Sequence, residues 1–172
     1  MDVQNGFVNE SSQHIVEPIA RCLHQWLSVG RPAVLTRFIN TKGSKWETLI
    51  HWGRLQASPE TDFSPAIQRV VDGYAPANNL LVVNKTIYSS MSDLVWRFLE
   101  SRQIADIYVC GISTDGCVLK TVVDIFEFGN YKPYLLTDLS ASHAGNEIHQ
   151  AGLLLAGRFI GIDQLVTSGA LP

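Results

Sequence analysis

The sequence predicts an α/β protein with a three-layer, Rossmann-like fold, in which a mainly parallel sheet of about five to six strands carries helices on both faces. Short β-branched and apolar runs alternate along the chain with longer segments of helical period. The longer segments are of the right length for the crossovers that parallel strands require. In such a sheet, a ligand site is expected where the carboxyl ends of the strands meet the loops.

Five runs have the composition of strands, and four segments have helical period. The first helix is expected to end before Gly30, because glycine followed by Arg31-Pro32 is a common helix stop. Ser92 offers an N-cap to the second helix, and the third follows Asp115. The predicted strands are 33–38, 80–84, 107–110, 134–137 and 165–167, and the predicted helices are 15–27, 92–102, 115–128 and 147–158.

The segment 39–77 lacks a sustained period and is rich in glycine and proline. Long irregular segments in small domains are often lids or binding loops, which is one interpretation. The other is that its aromatic residues, together with Phe38, form a cluster that holds the segment down. Trp46 and Trp52 are the candidates for that cluster. The sequence leaves both interpretations open.

Length and composition indicate one globular domain spanning residues 1–172. The chain has 46% hydrophobic residues and a net charge of -3, from 13 basic and 16 acidic residues, with no basic block. A small-molecule partner is therefore expected rather than nucleic acid. No apolar run approaches the roughly 18 residues of a membrane span, and the polar start lacks a secretory signal, so we expect a soluble, cytoplasmic protein.

Three cysteines, an odd number without C-x-x-C spacing, argue against a disulfide framework and a structural zinc site. Cys22 and Cys110 lie in apolar runs, where a free cysteine is usually a small buried hydrophobe. Cys117 is different, because it follows an apolar strand and a turn of small residues at the start of a helix. Unpaired N–H groups and the helix dipole favour a thiolate there, so Cys117 is a candidate nucleophile.

A cysteine nucleophile needs a base and a positive charge that meet it in space. Asp2 stands beside a polar turn, and Lys85 directly follows the second strand. The carboxyl ends of such strands converge with the turn before Cys117, so the three residues can form one cluster. From spacing alone the indication is weak, since Lys85 can be a solvated charge and Asp2 a turn former.

Three segments in register make the sequence similar to the isochorismatase-like cysteine hydrolase superfamily, which includes nicotinamidases and N-carbamoylsarcosine amidases. Their order and spacing match, and the resemblance continues to His149, so it spans nearly the whole chain. The segments are Asp2-Val3-Gln4-Asn5-Gly6-Phe7, Lys85-Thr86-Ile87-Tyr88-Ser89 and Gly111-Ile112-Ser113-Thr114-Asp115-Gly116-Cys117-Val118.

The resemblance implies a catalytic triad of Asp2, Lys85 and Cys117. It also implies a cis peptide bond between Ile112 and Ser113, and an oxyanion hole made by the backbone N–H groups of Ser113 and Cys117. The implied activity is hydrolysis of a small amide, ureido or imide C–N bond through a thioester on the cysteine. Two alternatives stay open: an enol-ether hydrolase of the isochorismatase kind that does not need the thiol, and a non-catalytic binding module.

Three aromatic residues are candidates for the substrate pocket. Phe7 is placed there by its position in the family pattern, and Tyr88 lies in the second matching segment. Trp52 is proposed from its place in the long irregular segment, although an aromatic residue in a loop is more often a packing residue. Relatives commonly assemble, so a dimer or tetramer of identical chains is also expected.

The sequence departs from the family at two places. The hydrophobic strand that precedes the aspartate in relatives is missing from the sequence. Three explanations stay open: the true start lies further upstream, the chain is trimmed, or the first strand is truncated, in which case Asp2 would be held less firmly and could fray. The Asp-x-His metal motif of nicotinamidases is also missing, because the equivalent stretch, 35–40, has neither residue type. We therefore predict no catalytic metal and no cofactor, and disfavour nicotinamidase activity.

Overall fold

Five strands, all paired in parallel, form the centre of the protein. The structure is a computed structural model that describes residues 1–75 and 77–172, and it confirms the predicted α/β class. The strands coincide with the five predicted runs and extend several of them by a few residues. They are β1 (Ala33–Phe38), β2 (Leu80–Lys85), β3 (Asp106–Ile112), β4 (Lys132–Ala141) and β5 (Leu165–Val166).

The strands form two hydrogen-bonded groups. β1 pairs with β2, and β3 pairs with β4, which pairs in turn with β5. The expected single sheet is therefore divided between β1 and β3. The four predicted helices are present, and two more lie in the segment that was predicted to be irregular. The helices are α1 (Val16–Ser28), α2 (Lys45–Thr48), α3 (Pro65–Tyr74), α4 (Asp93–Glu100), α5 (Leu119–Phe128) and α6 (Asn146–Ile160).

The prediction of an irregular segment at 39–77 is wrong for the part that forms α3, and residue 76 lies outside the described residues. Proline at the first position of α3 suits a helix start, because its missing N–H would have no partner there. Ala66 and Ile67 are buried in the core beside α1. Only these two positions of the ten-residue helix are buried, so the apolar period was too short to predict it.

Side chains alternate across the strands, and the two larger of three core clusters lie on opposite faces of the sheet. Leu35, Ile112 and Leu136 pack on the side of α1 and α3. Val109 and Leu135 point the other way, toward α5 and α6. Since neighbouring residues of one strand serve opposite cores, the strands are buried on both faces and the fold has three layers. None of the helices within the described ranges is long and apolar enough to cross a membrane.

The N-terminal residues bridge the two strand groups. The Met1 ammonium donates to the Cys110 carbonyl at 2.7 Å, and the Met1 carbonyl accepts from the Ile112 N–H at 3.1 Å. On the other side, the Asp2 N–H donates to the Thr36 carbonyl at 3.1 Å. Asp2 is thus hydrogen-bonded to β1 through its backbone and is 1% exposed.

Gly111 permits this close passage. It has φ +126°, and a Cβ atom there would lie 2.1 Å from the Met1 carbonyl oxygen. Any larger residue would push the N-terminal residues away from β3. Glycine at this position therefore helps to place Asp2 beside the carboxyl end of β1.

Candidate active site

Asp2, Lys85 and Cys117 lie together at the carboxyl ends of the strands. Lys85 is the last residue of β2, and Cys117 follows the end of β3 in the next turn. The Lys85 Nζ lies 2.7 Å from Asp2 Oδ2 and 3.2 Å from Cys117 Sγ. The three residues that the sequence singled out are thus in direct contact, with the lysine nitrogen between the carboxylate and the sulfur.

The ion pair between Asp2 and Lys85 is buried and well supplied with hydrogen bonds. The Lys85 side chain is 6% exposed and the Asp2 side chain 0%. Lys85 Nζ also donates to the carbonyls of Ile87 and Tyr88, each at 3.0 Å, while Asp2 Oδ1 accepts from the Thr36 hydroxyl at 2.6 Å. These partners offset the cost of removing two charges from water, and they hold both side chains in one orientation.

Cys117 lies in a π-helical turn, Thr114–Val118, that leads into α5. Burial raises the pKa of its thiol to about 12, and the nearby Asp2 charge acts in the same direction against the opposing effect of Lys85. A pKa this high favours the protonated thiol at neutral pH, whereas the sequence favoured a thiolate. The helix position was predicted correctly, but the sequence could not show how completely the sulfur is buried.

The raised pKa of Cys117 predicts a loss of stability at alkaline pH. The thiol ionises near pH 9 in the unfolded chain and near pH 12 in the folded protein. The stability that the protonated thiol contributes is therefore complete below pH 9, and it declines as the pH rises toward 12. At about pH 11 the loss should reach roughly 2 to 3 kcal/mol. Urea unfolding at several pH values gives the free energy of unfolding of wild type and of Cys117→Ala as a function of pH. The difference between these two curves isolates the loss due to Cys117. A pH-independent difference would contradict the assigned pKa.

The turn between β3 and Cys117 leaves one backbone donor without a partner. The peptide bond from Ile112 to Ser113 is cis. Within the described residues the Ser113 N–H has no hydrogen-bond acceptor, whereas the Ser113 carbonyl accepts from the N–H groups of Gly116 and Val118 at 3.1 Å. The turn is thus fixed through its carbonyl, and its N–H stays available to a ligand.

Two histidines that the sequence analysis did not place at the site contact this turn. His143 Nδ1 is hydrogen-bonded to the Ser113 hydroxyl, and His149 Nδ1 lies 2.8 Å from the Thr114 hydroxyl. Burial lowers the pKa of both rings, which favours their neutral forms. One sequence signal could have placed His143 at the site: it follows the carboxyl end of β4, at the same edge of the sheet as the other site residues.

The aromatic candidates lie on two sides of the turn. Phe7 stacks on Trp52, with ring centroids 5.7 Å apart and planes at 10°, and its ring is 5.1 Å from that of His143. Tyr88 packs instead edge-on against Trp46 at 4.4 Å, and a Cβ atom on Gly116 would lie 3.8 Å from its ring. Trp46 and Trp52 also both contact Phe38, as the cluster interpretation of the long segment expects.

The sequence matches a known family over most of its length. A family model described as the isochorismatase domain matches residues 1–162. The chain belongs to the isochorismatase family. This membership agrees with the resemblance that the three segments around Asp2, Lys85 and Cys117 carry.

Solved structures and a curated relative of isochorismatase type resemble the chain. The nicotinamidase/pyrazinamidase from Bacillus subtilis has a TM-score of 0.82 at 22% identity, covering 96% of this chain and 95% of the other. The N-carbamoylsarcosine amidase from Thermoplasma acidophilum has a TM-score of 0.73 at 17% identity, covering 91% and 89%. Isochorismatase domain-containing protein 2B from Mus musculus is 28% identical over 102 residues, or 56% of this chain and 49% of that protein. The match spans about half the length of the mouse protein.

The residues that replace the metal motif of the nicotinamidases do not fit a metal. Asn40 occupies this stretch, and its amide donates to the carbonyls of Trp52 and Arg54 while its oxygen accepts from Thr41 N–H and Ser44 Oγ. Its polar atoms are thus used to fix the loop. In the described part of the chain, no group of three or more histidine, cysteine or acidic residues is placed to hold an ion.

Proposed function

We propose that the protein is a cysteine-dependent hydrolase that cleaves the C–N bond of a small-molecule amide, ureido or imide through a thioester on Cys117. The family membership supports a hydrolase, and two structural neighbours are named as amidases. The observation that carries the proposal is the position of Lys85 Nζ, in contact with both the Asp2 carboxylate and the Cys117 sulfur.

The first step forms the thioester bond. Because the resting thiol is protonated, Asp2 takes its proton as the sulfur attacks the substrate carbonyl carbon. The Lys85 ammonium stabilises the negative sulfur during this transfer. The N–H groups of Ser113 and Cys117 receive the oxygen of the tetrahedral intermediate and stabilise its negative charge.

The second step breaks the C–N bond and then the thioester. Asp2, now a carboxylic acid, gives its proton to the leaving nitrogen, and the amine departs. A water molecule then loses a proton to Asp2 and attacks the thioester carbonyl. The C–S bond breaks, the acid product leaves, and the proton on Asp2 returns to the sulfur. Each turnover therefore consumes one water and restores the thiol.

Trapping the intermediate tests this proposal. The protein is incubated with a panel of small amides, ureido compounds and imides, quenched in acid, and mapped by mass spectrometry. We expect an acyl group on Cys117 and none on Cys22 or Cys110, which serve as internal controls. Hydroxylamine should convert the acyl group into a hydroxamate. Turnover of an enol ether without any adduct would instead support the isochorismatase-type alternative, in which Asp2 acts as the acid.

The stacked pair of Phe7 and Trp52 is proposed to form one wall of the substrate pocket. We expect Trp52→Leu to raise KM by up to about tenfold with little change in kcat, because one aromatic contact is worth roughly 0.5 to 1.5 kcal/mol. The matched control is Trp96→Leu, since Trp96 stacks on Tyr131 at 5.6 Å in a different part of the protein. Equal KM values for wild type and Trp52→Leu would place Trp52 outside the pocket.

A further inference from the structure

Five large apolar side chains are exposed on and beside the outer side of α6. Leu154 is 77% exposed, the highest value among the large apolar residues of the described chain. The other four are exposed as well: Ile148, Leu155, Phe159 and Ile162. Single exposed apolar residues are ordinary on a protein surface, but a contiguous group of them marks a contact surface.

The inner side of α6 is already occupied by the rest of the protein. Gly152 lies against the turn that carries Cys117, since a Cβ atom there would lie 2.8 Å from the Asp115 backbone nitrogen. Ala156 and Ile160 are buried in the same core as Leu135 of β4. The positions 152, 156 and 160 therefore define the buried side, and a further partner can reach only the opposite side.

A row of four exposed residues lies opposite the buried side. The row consists of Glu147, Ala151, Leu154 and Arg158. With 3.6 residues per turn, these four positions fall within about 60° of arc around the helix axis. We call this row the α6 face. Along the helix its members are acidic, small, large and apolar, and basic in turn.

The two charges of the α6 face have no partner among the residues that the structure describes. Neither Glu147 nor Arg158 belongs to an ion pair there. Eleven residues separate them, which is about 16 Å along the axis of one helix, so they cannot pair with each other. Both charges are available to an opposite charge on a second molecule.

The α6 face is complementary to itself in the antiparallel direction. Consider two copies of α6 related by a two-fold axis that passes between positions 152 and 153. Glu147 of one copy then lies level with Arg158 of the other, because both are equally far from the axis. Ala151 lies level with Leu154 for the same reason, so each large side chain meets a small one. The symmetry makes each contact twice.

Apolar residues on both flanks extend the contact surface. Ile148, Leu155 and Phe159 lie about a quarter-turn to one side of the α6 face. Ile162 lies on the other flank, where its Cδ1 atom is 3.1 Å from the position of a Cβ atom on Gly157. A shallow crossing of about 20° keeps the helices close along their length, so that the charged ends stay within reach.

We propose that the α6 face binds the same face of a second copy of this chain, which gives a two-fold symmetric dimer with antiparallel α6 helices. The apolar contacts near the axis supply affinity, and the pairs of Glu147 with Arg158 fix the direction and the register. One helix pair buries less area than a standard interface, so we expect a weak dimer with a Kd of about 10 to 100 µM. The dimer does not depend on the proposed reaction.

Sedimentation velocity of the whole chain between about 5 and 500 µM tests the association. We expect the average mass to rise from one chain toward two, and the melting temperature to rise with concentration. Leu154→Ala should weaken the dimer by at least about tenfold. Leu94→Ala is the matched control, because Leu94 is an exposed leucine of α4. A wild type that stays monomeric at 500 µM, or equal association of both variants, would overturn the proposal.

Two charge changes test the register. Glu147→Arg places arginines opposite each other at both ends of the helix pair, and Arg158→Glu does the same with carboxylates. Each variant alone should associate at least about tenfold more weakly than wild type. An equimolar mixture should associate about as tightly as wild type, because every contact in the mixed dimer again joins opposite charges.

Circular dichroism checks that each variant is folded. A mixture that stays monomeric while wild type dimerises would assign the dimer to another surface and overturn the proposal. The comparison of Leu154→Ala with Leu94→Ala decides the question even if a charge variant does not fold. Loss of association leaves the proposed hydrolysis untouched, since these changes lie outside the contacts of Asp2, Lys85 and Cys117.

Discussion

Replacement of Cys117 by serine is expected to reduce kcat/KM by at least about a thousandfold and to leave the fold intact. Serine preserves the size of the side chain and a polar atom next to Lys85 Nζ, which lies 3.2 Å from the sulfur. Its hydroxyl is a much weaker nucleophile at neutral pH than a sulfur, and an oxygen ester forms in place of a thioester. The loss therefore measures the covalent chemistry rather than the packing.

The experiment compares initial rates for wild type, Cys117→Ser and Cys22→Ser on the best substrate from the amide panel. Cys22→Ser is the matched control, because Cys22 is a free cysteine that lies outside the contacts of the catalytic cluster. Urea unfolding and circular dichroism check the fold of each variant. Wild-type activity in Cys117→Ser would reject the thioester mechanism and favour acid catalysis by Asp2 alone.

The second large effect is expected from Lys85→Met, which should lower the free energy of unfolding by about 3 to 5 kcal/mol and abolish turnover. The change leaves the fully buried carboxylate of Asp2 without the cation 2.7 Å away. An unpaired charge in this position keeps the full cost of desolvation. Arg69→Met is the control, since the pair of Arg69 with Glu17 is exposed and should contribute less than about 1 kcal/mol.

A double variant separates stability from catalysis. Asp2→Asn combined with Lys85→Met removes both charges, so most of the lost stability should return. Turnover should not return, because the proton acceptor and the stabilising cation are both gone. The free energies come from urea unfolding at pH 7. A cost for Lys85→Met as small as that for Arg69→Met would show that the buried ion pair does not form in solution.

The elements that the sequence predicted well are those defined by a local pattern. β1 was predicted with its observed bounds, 33–38, because a β-branched apolar run between Arg31-Pro32 and a polar loop has few alternatives. α3 was missed, since only Ala66 and Ile67 of its residues are buried and Gly73 interrupts the period. A helix that buries so little has a weak sequence pattern.

The candidate site was also predicted only in part, where a local motif marked its residues. The resemblance singled out Asp2, Lys85 and Cys117 together, and the structure places them in contact. The two histidines at the turn were not assigned to the site, because nothing local indicates that 143 and 149 meet the turn at 113 and 114. Their contacts join residues about thirty positions apart in the sequence, beyond the range of any periodic pattern.

By itself, the sequence determined the α/β class, the strand positions and the residue types of the candidate site, since these depend on periodicity and on motifs within a few residues. Only the tertiary structure decided that burial raises the pKa of the Cys117 thiol, that Asp2 is hydrogen-bonded to β1, and that the strands form two groups. Burial and strand pairing arise from contacts between distant segments. Such contacts set the local dielectric and the free backbone groups, which no local pattern of residues contains.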